Sequence, residues 1–275
     1  MQISTEVADL RKISAGKIAF VPTMGALHEG HATLIRQARQ LCDQVVVSVF
    51  VNPLQFDDPY DLERYPRTPQ VDIEIAQRAG ATILWLPQSS EIYPSAVEQI
   101  SAGAIGAIYE GVHRKGHFDG VLTVVKRLFD LVQPHWALFG EKDFQQLFLI
   151  QQMVRELGLG IEIIPVPTVR ESDGLAISSR NVRLNEVDRQ VALVISRALT
   201  NASQATNIAD MRKALDETLA SEVGFNRDYA AIIDESNFEL ASDRTFAKRA
   251  LVAGWVNGVR LIDNMPMTGM AGDAR

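Results

Sequence analysis

Residues 17–42 decide the fold, and they read KIAFVPTMGALHEGHATLIRQARQLC. The stretch begins as an apolar run, is broken at Pro22 and Gly25, and continues from His31 with apolar side chains at helical spacing. A strand, a glycine-containing turn and an amphipathic helix in this order are typical of the first unit of an open parallel sheet. We therefore expect the turn to lie at the carboxyl edge of that sheet, where such proteins bind ligands.

The same alternation continues along the first 170 residues. Further apolar runs predict buried strands at 44–51, 81–87, 135–140 and 161–169. Apolar side chains recur at helical spacing over 31–42, 119–132 and 142–157. Strands that are apolar throughout and separated by helices indicate a parallel sheet that is covered on both faces. We predict an α/β domain of the doubly wound, Rossmann-like type over residues 1–176.

The pattern changes after Asn181. Two amphipathic helical segments follow each other without an intervening strand, at 185–203 and 207–224. Strand-like segments then return, at 229–235 and 250–265. Asn257 and Gly258 inside the last segment favour a type I′ hairpin turn between two antiparallel strands. We predict a smaller α+β domain over residues 177–275, with the change of domain near residues 175–185.

The composition narrows the class of protein. The 275 residues include 27 basic and 34 acidic side chains, and the net charge of −7 argues against broad nucleic-acid or anionic-membrane binding. No apolar run is long enough for a membrane span, and residues 1–17 lack the apolar core of a signal peptide. The single Cys42 cannot form an internal disulfide, which fits a reducing compartment. We expect a cytoplasmic protein in which any anion site is local.

The turn with two histidines allows more than one interpretation. Gly25 and Gly30 permit a close approach to the backbone, and His28 and His31 can donate hydrogen bonds to phosphoryl oxygens at the start of a helix. The turn has neither the G-x-G-x-x-G pattern nor the lysine of a P-loop, and H-E-G-H is one residue short of the zinc motif H-E-x-x-H. A phosphate loop and a plain turn with two surface histidines both stay open at this point.

A second polar cluster follows the second predicted strand. Asn52 and Gln55 are neutral amides, which suit a polar or hydroxylated substrate. An acidic stretch lies just beyond them and includes Asp57, Asp58, Asp61 and Glu63. Such carboxylates can help to hold a hydrated Mg²⁺, although an acidic loop is more often simply solvated.

Two further clusters carry positive charge. Lys142 stands at the start of a predicted helix, where it opposes the helix dipole unless an anion is nearby. Ser178, Ser179 and Arg180 lie near the domain boundary and offer two hydroxyls and a guanidinium, a combination that suits polyphosphate. Each cluster alone has an ordinary structural explanation, but four of them at strand ends and at the boundary favour a common site.

Five motifs in order make the sequence resemble a known family. They read PTMGALHEGH, FVNPLQF, RYPRT, FGEKDFQQ and DGLAISSRN. Together they resemble the pantothenate synthetase family, the pantoate–β-alanine ligases of the nucleotidylyltransferase superfamily. The resemblance implies an ATP-dependent, AMP-forming ligase that condenses (R)-pantoate and β-alanine through a pantoyl adenylate, with Mg²⁺, as a homodimer. No covalent enzyme intermediate is implied, and the sequence shows no convincing nucleophile with a partner base.

The resemblance also implies roles for individual residues. It places ATP against Met24, Gly25, Ala26, Leu27, His28, Glu29, Gly30, His31, Gly140, Glu141, Lys142, Asp143, Val169, Ile177, Ser178, Ser179 and Arg180. It assigns catalytic roles to His28, His31, Lys142, Ser178, Ser179 and Arg180, of which His31 is the usual proton donor. It places pantoate and β-alanine against Gln55, and pantoate against Gln146. We expect Asn52 to bind substrate beside Gln55, because its neutral amide suits a hydroxylated molecule. It gives no metal ligands.

One residue departs from the family pattern. Ile177 stands where the family usually has methionine, in the segment that takes the place of the K-M-S-K-S loop of related enzymes. A volume-conserving apolar exchange should leave the packing against adenine intact. In this interpretation residues 178–180 close over ATP and the smaller domain acts as a lid. Two other functions stay open, a nucleotidylyltransferase that releases an adenylylated product and a non-catalytic nucleotide-binding module.

Overall fold

The computed structural model describes residues 1–10, 16–57 and 59–267. The chain forms two compact units. The first holds Met1–Glu141 and Gln145–Pro167, and the second holds Lys142–Phe144 and the chain from Thr168 onward. The domain boundary between residues 176 and 177 stays a prediction, because a compact unit is not by definition a domain that folds separately.

The first unit is built on a six-stranded parallel sheet. Its strands are β1 Gln2–Ser4, β2 Ile18–Thr23, β3 Gln44–Val49, β4 Ile83–Trp85, β5 Trp136–Gly140 and β6 Glu162–Val166. Their order across the sheet is β1-β4-β3-β2-β5-β6, and every neighbouring pair is parallel. The predicted α/β class is therefore confirmed. The edge strand β1 was not expected, because three residues are too few to show a periodicity.

Helices separate the strands of this sheet. They are α1 Val7–Leu10, α2 Glu29–Leu41, α3 Pro59–Arg64, α4 Pro69–Ala79, α5 Ser89–Ile92, α6 Glu110–His113, α7 His117–Val132 and α8 Phe144–Glu156. The helix predicted from residue 142 begins at Phe144 instead, because Glu141–Asp143 forms a 3₁₀ turn before it. Within the part of the chain that the structure describes, no helix has the length and apolar character needed to cross a membrane.

Alternate side chains of β2 pack on opposite faces of the sheet. Ala19 and Val21 belong to the core that also contains Ile35 of α2 and Ala76 of α4. Phe20 instead meets Phe129 of α7 edge-on, with the ring centroids 6.4 Å apart. Helices therefore cover both faces, which is why the strands are apolar throughout.

The strand order places the ligand edge of the sheet. Across the sheet the strand numbers fall from β4 to β2 and rise from β5 to β6, so the order reverses between β2 and β5. Open α/β sheets bind ligands beyond the carboxyl ends of the strands at such a switch point. The chain leaves β2 into the turn Met24–His28 and leaves β5 into Glu141. Two of the motifs found in the sequence thus begin at the switch point.

The second unit is α+β, as the sequence predicts. Its strands β7 Phe225–Asp234, β8 Lys248–Val256 and β9 Val259–Met267 form an antiparallel sheet in the order β7-β8-β9. Its helices α9 Glu186–Ser203 and α10 Ile208–Ala220 share one apolar core with that sheet. Asn257 and Gly258 have φ angles of 45° and 78°, so both residues are left-handed as a type I′ turn requires. The predicted hairpin is confirmed.

Candidate active site

His28 and His31 cap the helix that they begin. The His28 Nδ1 atom accepts a hydrogen bond from the Gly30 N–H at 3.2 Å, and the His31 Nδ1 atom accepts one from the His28 N–H at 3.3 Å. The first N–H groups of a helix have no partner within the helix, so this reciprocal pair satisfies two of them. Histidine here fills the role that serine and glutamate fill in the usual capping box.

These caps determine which nitrogen of each ring carries the proton. A ring nitrogen that accepts a hydrogen bond is unprotonated, so each neutral imidazole carries its proton on Nε2. The two rings lie close together, with centroids 4.1 Å apart and planes tilted by 39°. Both rings thus present an Nε2–H donor from one helix start, which is the arrangement that a phosphoryl oxygen can use.

Gly30 makes room for the first of these rings. A Cβ atom at this position would lie 2.9 Å from His28 Cε1 and 3.0 Å from His28 Nδ1. The sequence interpretation gave Gly30 the task of letting a ligand approach the backbone. In the structure, the space beside its Cα is occupied by the His28 ring.

The turn before the histidines is held by a residue from another helix. Gly25 and Ala26 are both left-handed, with φ angles of 84° and 50°. The N–H groups of Ala26 and Leu27 donate to the Asp72 carboxylate at 3.2 and 2.8 Å. The Thr23 hydroxyl accepts from the Gly25 N–H at 3.2 Å and donates to the Ser48 carbonyl at 2.7 Å. The turn is thereby tied to both its own sheet and helix α4.

Gln55 lies in a buried 3₁₀ turn that follows β3. The turn spans Pro53–Gln55 and is capped by the Asn52 side chain. The Gln55 Nε2 atom donates to the Met24 sulfur at 3.0 Å, and the Gln55 carbonyl accepts from the His117 Nδ1–H at 3.0 Å. The structure thus brings the second motif against the first residue of the histidine turn.

The Asn52 side chain is fully used within the protein. Its Nδ2 atom donates to Gln55 Oε1 at 3.2 Å and to the Gly120 carbonyl at 3.0 Å. Its Oδ1 atom accepts from the Leu54 N–H at 3.2 Å and from the Tyr93 hydroxyl at 2.8 Å. These are all four hydrogen bonds that an asparagine side chain can make. In this structure Asn52 therefore orients Gln55, and direct contact between Asn52 and a substrate stays a prediction.

The two neighbouring glutamines of α8 have different surroundings. Gln145 is buried, and its Nε2 atom donates to the Ile105 and Ile108 carbonyls at 2.7 and 2.8 Å. Its Oε1 atom accepts from the Glu110 N–H at 3.2 Å. Gln146 is only partly buried. The Gln145 side chain therefore has a structural role, whereas the Gln146 side chain is accessible enough to contact a substrate.

Lys142 belongs to the second compact unit rather than to the sheet that precedes it in sequence. The Asn264 Nδ2 atom of β9 donates to the Lys142 carbonyl at 2.8 Å. Asn264 Oδ1 in turn accepts from the buried Arg249 guanidinium at 2.6 Å, and Arg249 covers the Phe144 ring at 4.0 Å. The Lys142 Nζ atom lies 3.8 Å from an Asp143 carboxylate oxygen. The segment Lys142–Phe144 is thus anchored to β9 through its backbone and to β8 through the Phe144 ring.

The segment Val169–Ile177 forms a tight hairpin. The Ile177 N–H donates to the Val169 carbonyl at 2.9 Å, so these two predicted ATP contacts are joined through the backbone. Gly174 supplies the left-handed residue, with a φ angle of 94°. Arg189 forms an ion pair with Asp173 at 2.6 Å. Loss of solvent around the Asp173 carboxyl acts to raise its pKa, but hydrogen bonds from the Leu175 N–H and from Arg189 outweigh this, and the net effect is a lowered pKa.

The hydroxyl and guanidinium segment follows directly. The Ser178 hydroxyl accepts from the Arg180 N–H at 3.2 Å and so caps the 3₁₀ helix Ser179–Arg183. Ser178 and Arg180 line a small cavity of the second unit together with Lys142, Ser196, Arg260 and Asp263. The cavity measures about 20 Å³, room for about one water molecule.

The acidic stretch after Gln55 does not form a metal cluster among the residues that can be described. Within residues 1–10, 16–57 and 59–267, no three His, Cys, Asp or Glu side chains lie close enough together to hold a metal ion. Asp58 and the Asp61 side chain lie outside the described residues.

Two residues of this site did not stand out in the sequence. Asp72 accepts a hydrogen bond from Leu27 of the turn, although it lies 45 residues after Leu27 in the sequence. Tyr93, the residue directly after the short helix α5, donates to Asn52 from its hydroxyl. Burial raises the pKa of that hydroxyl, so the group stays a neutral donor. In the sequence, Thr68 followed by Pro69 is a signal for the start of a helix, and it predicts the start of α4. No local signal points to the contacts themselves.

A capped helix start at the switch point of a parallel sheet is a common way for α/β enzymes to hold a nucleotide phosphate, and the chain falls in that Rossmann-like, nucleotide-binding class. The family model of the pantoate-beta-alanine ligases matches residues 2–266. The chain belongs to the pantoate–β-alanine ligase family.

Individual relatives agree with this assignment. Pantothenate synthetase from Acidothermus cellulolyticus is 45% identical over 96% of this chain and 91% of its own length. The crystal structure of pantothenate synthetase from Thermus thermophilus superposes with a TM-score of 0.91 at 44% identity, over 96% and 99% of the two chains. A pantoate-beta-alanine ligase from Francisella tularensis, solved in complex with beta-gamma ATP and beta-alanine, gives a TM-score of 0.79 at 36% identity over 96% and 97%.

Proposed function

We propose that the protein condenses (R)-pantoate with β-alanine to form pantothenate, at the expense of ATP. A pantoate carboxylate oxygen attacks the α-phosphorus of ATP, which gives pantoyl adenylate and pyrophosphate. The amine of β-alanine then attacks the acyl carbon, and AMP leaves. The observation that carries this proposal is the pair of capped histidines at the switch point, in a chain 36% identical to a ligase solved with a form of ATP and β-alanine.

The histidine turn supports the ATP part of the proposal. The Nε2–H groups of His28 and His31 donate to phosphate oxygens, and His31 acts as the proton donor. The residues from Met24 to His31 bind ATP, together with Gly140, Glu141, Lys142, Asp143, Val169, Ile177, Ser178, Ser179 and Arg180. Such chemistry depends on positioning and on neutralising charge. Lys142 and Arg180 neutralise the negative charge of the phosphates.

The buried amides support the substrate part. Gln55 and Gln146 contact pantoate, and Gln55 also contacts β-alanine. Asn52 is included in this set because it fixes the Gln55 side chain through the bond from Nδ2 to Oε1. Neutral amides fit a hydroxylated acid because they can donate to its oxygens and accept from its hydroxyls.

Magnesium enters the proposal with the nucleotide. The described residues offer no cluster of three ligands, and Mg²⁺ commonly binds through substrate phosphates, water and only one or two carboxylates. We propose that the ion arrives as Mg·ATP and offsets phosphate charge. Asp143 is a candidate for a single carboxylate contact, since its side chain is 53% exposed beside Lys142.

The cellular setting stays a set of predictions. We expect a cytoplasmic homodimer that acts in pantothenate biosynthesis, with no nucleic-acid or membrane partner. The lid function of residues 177–275 is part of the same proposal. Light scattering on the purified chain tests the dimer, since a monomer mass at micromolar concentration contradicts it.

An omission assay tests the reaction. The purified protein is incubated with Mg·ATP, pantoate and β-alanine, and each component is left out in turn while pantothenate, AMP and pyrophosphate are measured. We expect pantothenate and multiple turnovers of AMP only in the complete mixture. Without β-alanine, pyrophosphate should stop at about one equivalent per active site, because the adenylate stays bound.

Other outcomes of this assay identify the alternatives. An adenylylated product that accumulates in solution indicates a nucleotidylyltransferase. ATP binding without turnover in the complete mixture indicates a non-catalytic nucleotide-binding module. Either result contradicts the proposed function.

A further inference from the structure

Asp72 is a buried carboxylate that contacts the histidine turn and its own helix start. Its side chain lies in the first turns of α4, and the residue is 1% exposed. Its Oδ1 atom accepts from the Leu27 N–H at 2.8 Å and from the Thr68 hydroxyl at 3.0 Å. Its Oδ2 atom accepts from the Ala26 N–H at 3.2 Å. A buried carboxylate needs such donors, and here two of them are successive N–H groups of one turn.

The turn has a backbone shape that needs support. Gly25 is left-handed, and Ala26 is left-handed although it carries a Cβ atom. An alanine in this region is disfavoured and persists only where its surroundings hold it. A Cβ atom on Gly25 would lie 3.0 Å from Asp72 Oδ2 and 2.9 Å from Val49 Cγ1. The turn is therefore packed directly against the carboxylate that accepts its N–H groups.

The same backbone leads straight into the caps. Leu27, which Asp72 holds, precedes His28, whose N–H donates to His31. A change in the direction of the chain at Leu27 would rotate the helix entry and move both imidazole rings. Displacements of about 1 Å at a site that works by positioning can cost about 10²-fold in rate.

We propose that Asp72 is a positioning residue for ATP, acting through the backbone of Ala26 and Leu27 on the two histidines. This inference rests on the proposed function, since it takes ATP as the ligand of the histidine turn. Asp72 touches no reacting atom in this account. Its task is to hold the turn in its binding shape before ATP arrives, and Thr68 orients the carboxylate for that task.

The test compares two changes of a carboxyl to an amide. Asp72→Asn keeps the size of the side chain but places an amide NH₂ against a backbone N–H, so one contact to the turn is lost. Asp119→Asn is the matched control, because Asp119 also lies in the first turn of a helix and accepts a loop N–H, from Ala102 at 2.7 Å. Steady-state kinetics are measured for ATP, pantoate and β-alanine, and thermal unfolding is measured for each variant.

We expect the loss to fall on ATP. For Asp72→Asn, kcat/KM for ATP should fall by about 10-fold or more, whereas KM for β-alanine should stay within about twofold of the parent value. Asp119→Asn should keep all three kcat/KM values within about twofold. Thr68→Val removes only the hydroxyl that orients Oδ1, so it should lower kcat/KM for ATP in the same direction by a smaller factor. If Asp72→Asn does not fold, the kinetics of Thr68→Val still test the inference.

Two results overturn the inference. One is a folded Asp72→Asn or Thr68→Val protein that keeps kcat/KM for ATP at the parent value. The other is an equal fall for all three substrates that follows the loss of folded protein, because this is what a purely structural role produces. If the parent protein itself makes no pantothenate in the complete mixture, the proposed function fails instead, and the two failures are distinguishable.

Discussion

His28 and His31 each use Nδ1 to accept a backbone N–H, so their tautomers are set by the helix start itself. Under the proposed function, the same two rings cap the helix through Nδ1 and donate to phosphate from Nε2. A serine at position 28 could cap the helix equally well, but it could not also present a second donor beyond the cap. A histidine cap keeps Nε2 as a second ring nitrogen, which the proposed function assigns to phosphate.

The first prediction concerns His31→Ala. We expect kcat for pyrophosphate release to fall by about 10²-fold or more, as removal of a group that stabilises developing charge commonly does. The substitution also removes the acceptor for the His28 N–H, so thermal unfolding must be measured beside the kinetics. His135→Ala is the control, because the His135 Nδ1 atom likewise accepts a backbone N–H, from Ile18 at 3.2 Å, outside the proposed site. Equal activity in the two variants would contradict the assignment.

At the residue scale, the sequence shows donors but not how they are held. Two histidines around a glycine at the start of a helix are visible in the letters, and so is their suitability for phosphate. The Asp72 contact is not visible, because its partners Ala26 and Leu27 lie more than 40 positions away and carry it through backbone N–H groups. Backbone donors are the same for every residue, so no choice of side chain at 26 or 27 reveals the bond.

Helix α7 and the 3₁₀ turn Pro53–Gln55 meet at a glycine. A Cβ atom on Gly120 would lie 2.2 Å from the Leu54 carbonyl oxygen and 2.8 Å from the Gln55 nitrogen. The Gly120 carbonyl also accepts from Asn52 Nδ2. The helix thus supports the turn closely enough to fix Gln55, and it can do so only where it has no side chain.

The second prediction therefore concerns Gly120→Ala. The added methyl group must push the turn away, which should lower the free energy of unfolding by about 1–3 kcal/mol. Because Gln55 moves with the turn, KM for pantoate should rise by about 10-fold, and KM for ATP should change less. Gly103→Ala is the control, since a Cβ atom there meets nothing within 4 Å and adds only the strain of a φ angle of 59°. An unchanged KM for pantoate in a folded Gly120→Ala protein would contradict this role of the turn.

At the element scale, periodicity predicts long elements well and short ones poorly. The strands β2, β3, β5 and β6 and the helices α2, α7 and α9 lie where apolar runs and helical spacing place them. The strand β1 has three residues, which is too short for any period to show. The helix α8 begins two residues later than predicted because Glu141–Asp143 forms a 3₁₀ turn, in which the Lys142 carbonyl accepts from the Asn264 side chain.

At the scale of the whole molecule, the chain is two compact units with different sheets. The first unit carries the histidine turn and the buried amides, and the second carries Lys142 and the segment from Val169 to Arg180. The membership of Lys142 in the second unit could not be predicted, because the Asn264 side chain that holds its carbonyl is 122 positions away. The fold class, by contrast, follows from the alternation of strands and helices, which depends on neighbours in sequence.

The proposed chemistry requires no covalent bond to the protein. Apart from the proton donor His31, every residue assigned to it binds, orients or neutralises charge, which is how phosphoryl-centre reactions are usually accelerated. The central claim is therefore the identity of the bond that forms first, between a pantoate oxygen and the α-phosphorus of ATP.

Isotope transfer tests this claim most directly. Pantoate labelled with ¹⁸O in its carboxylate is converted with Mg·ATP and β-alanine, and the products are analysed by mass spectrometry. The account predicts one ¹⁸O atom in the phosphate of AMP and none in pyrophosphate, because the pantoate oxygen that attacks the α-phosphorus leaves with AMP when β-alanine attacks the acyl carbon. Unlabelled AMP, or ¹⁸O in inorganic phosphate beside ADP, would contradict it.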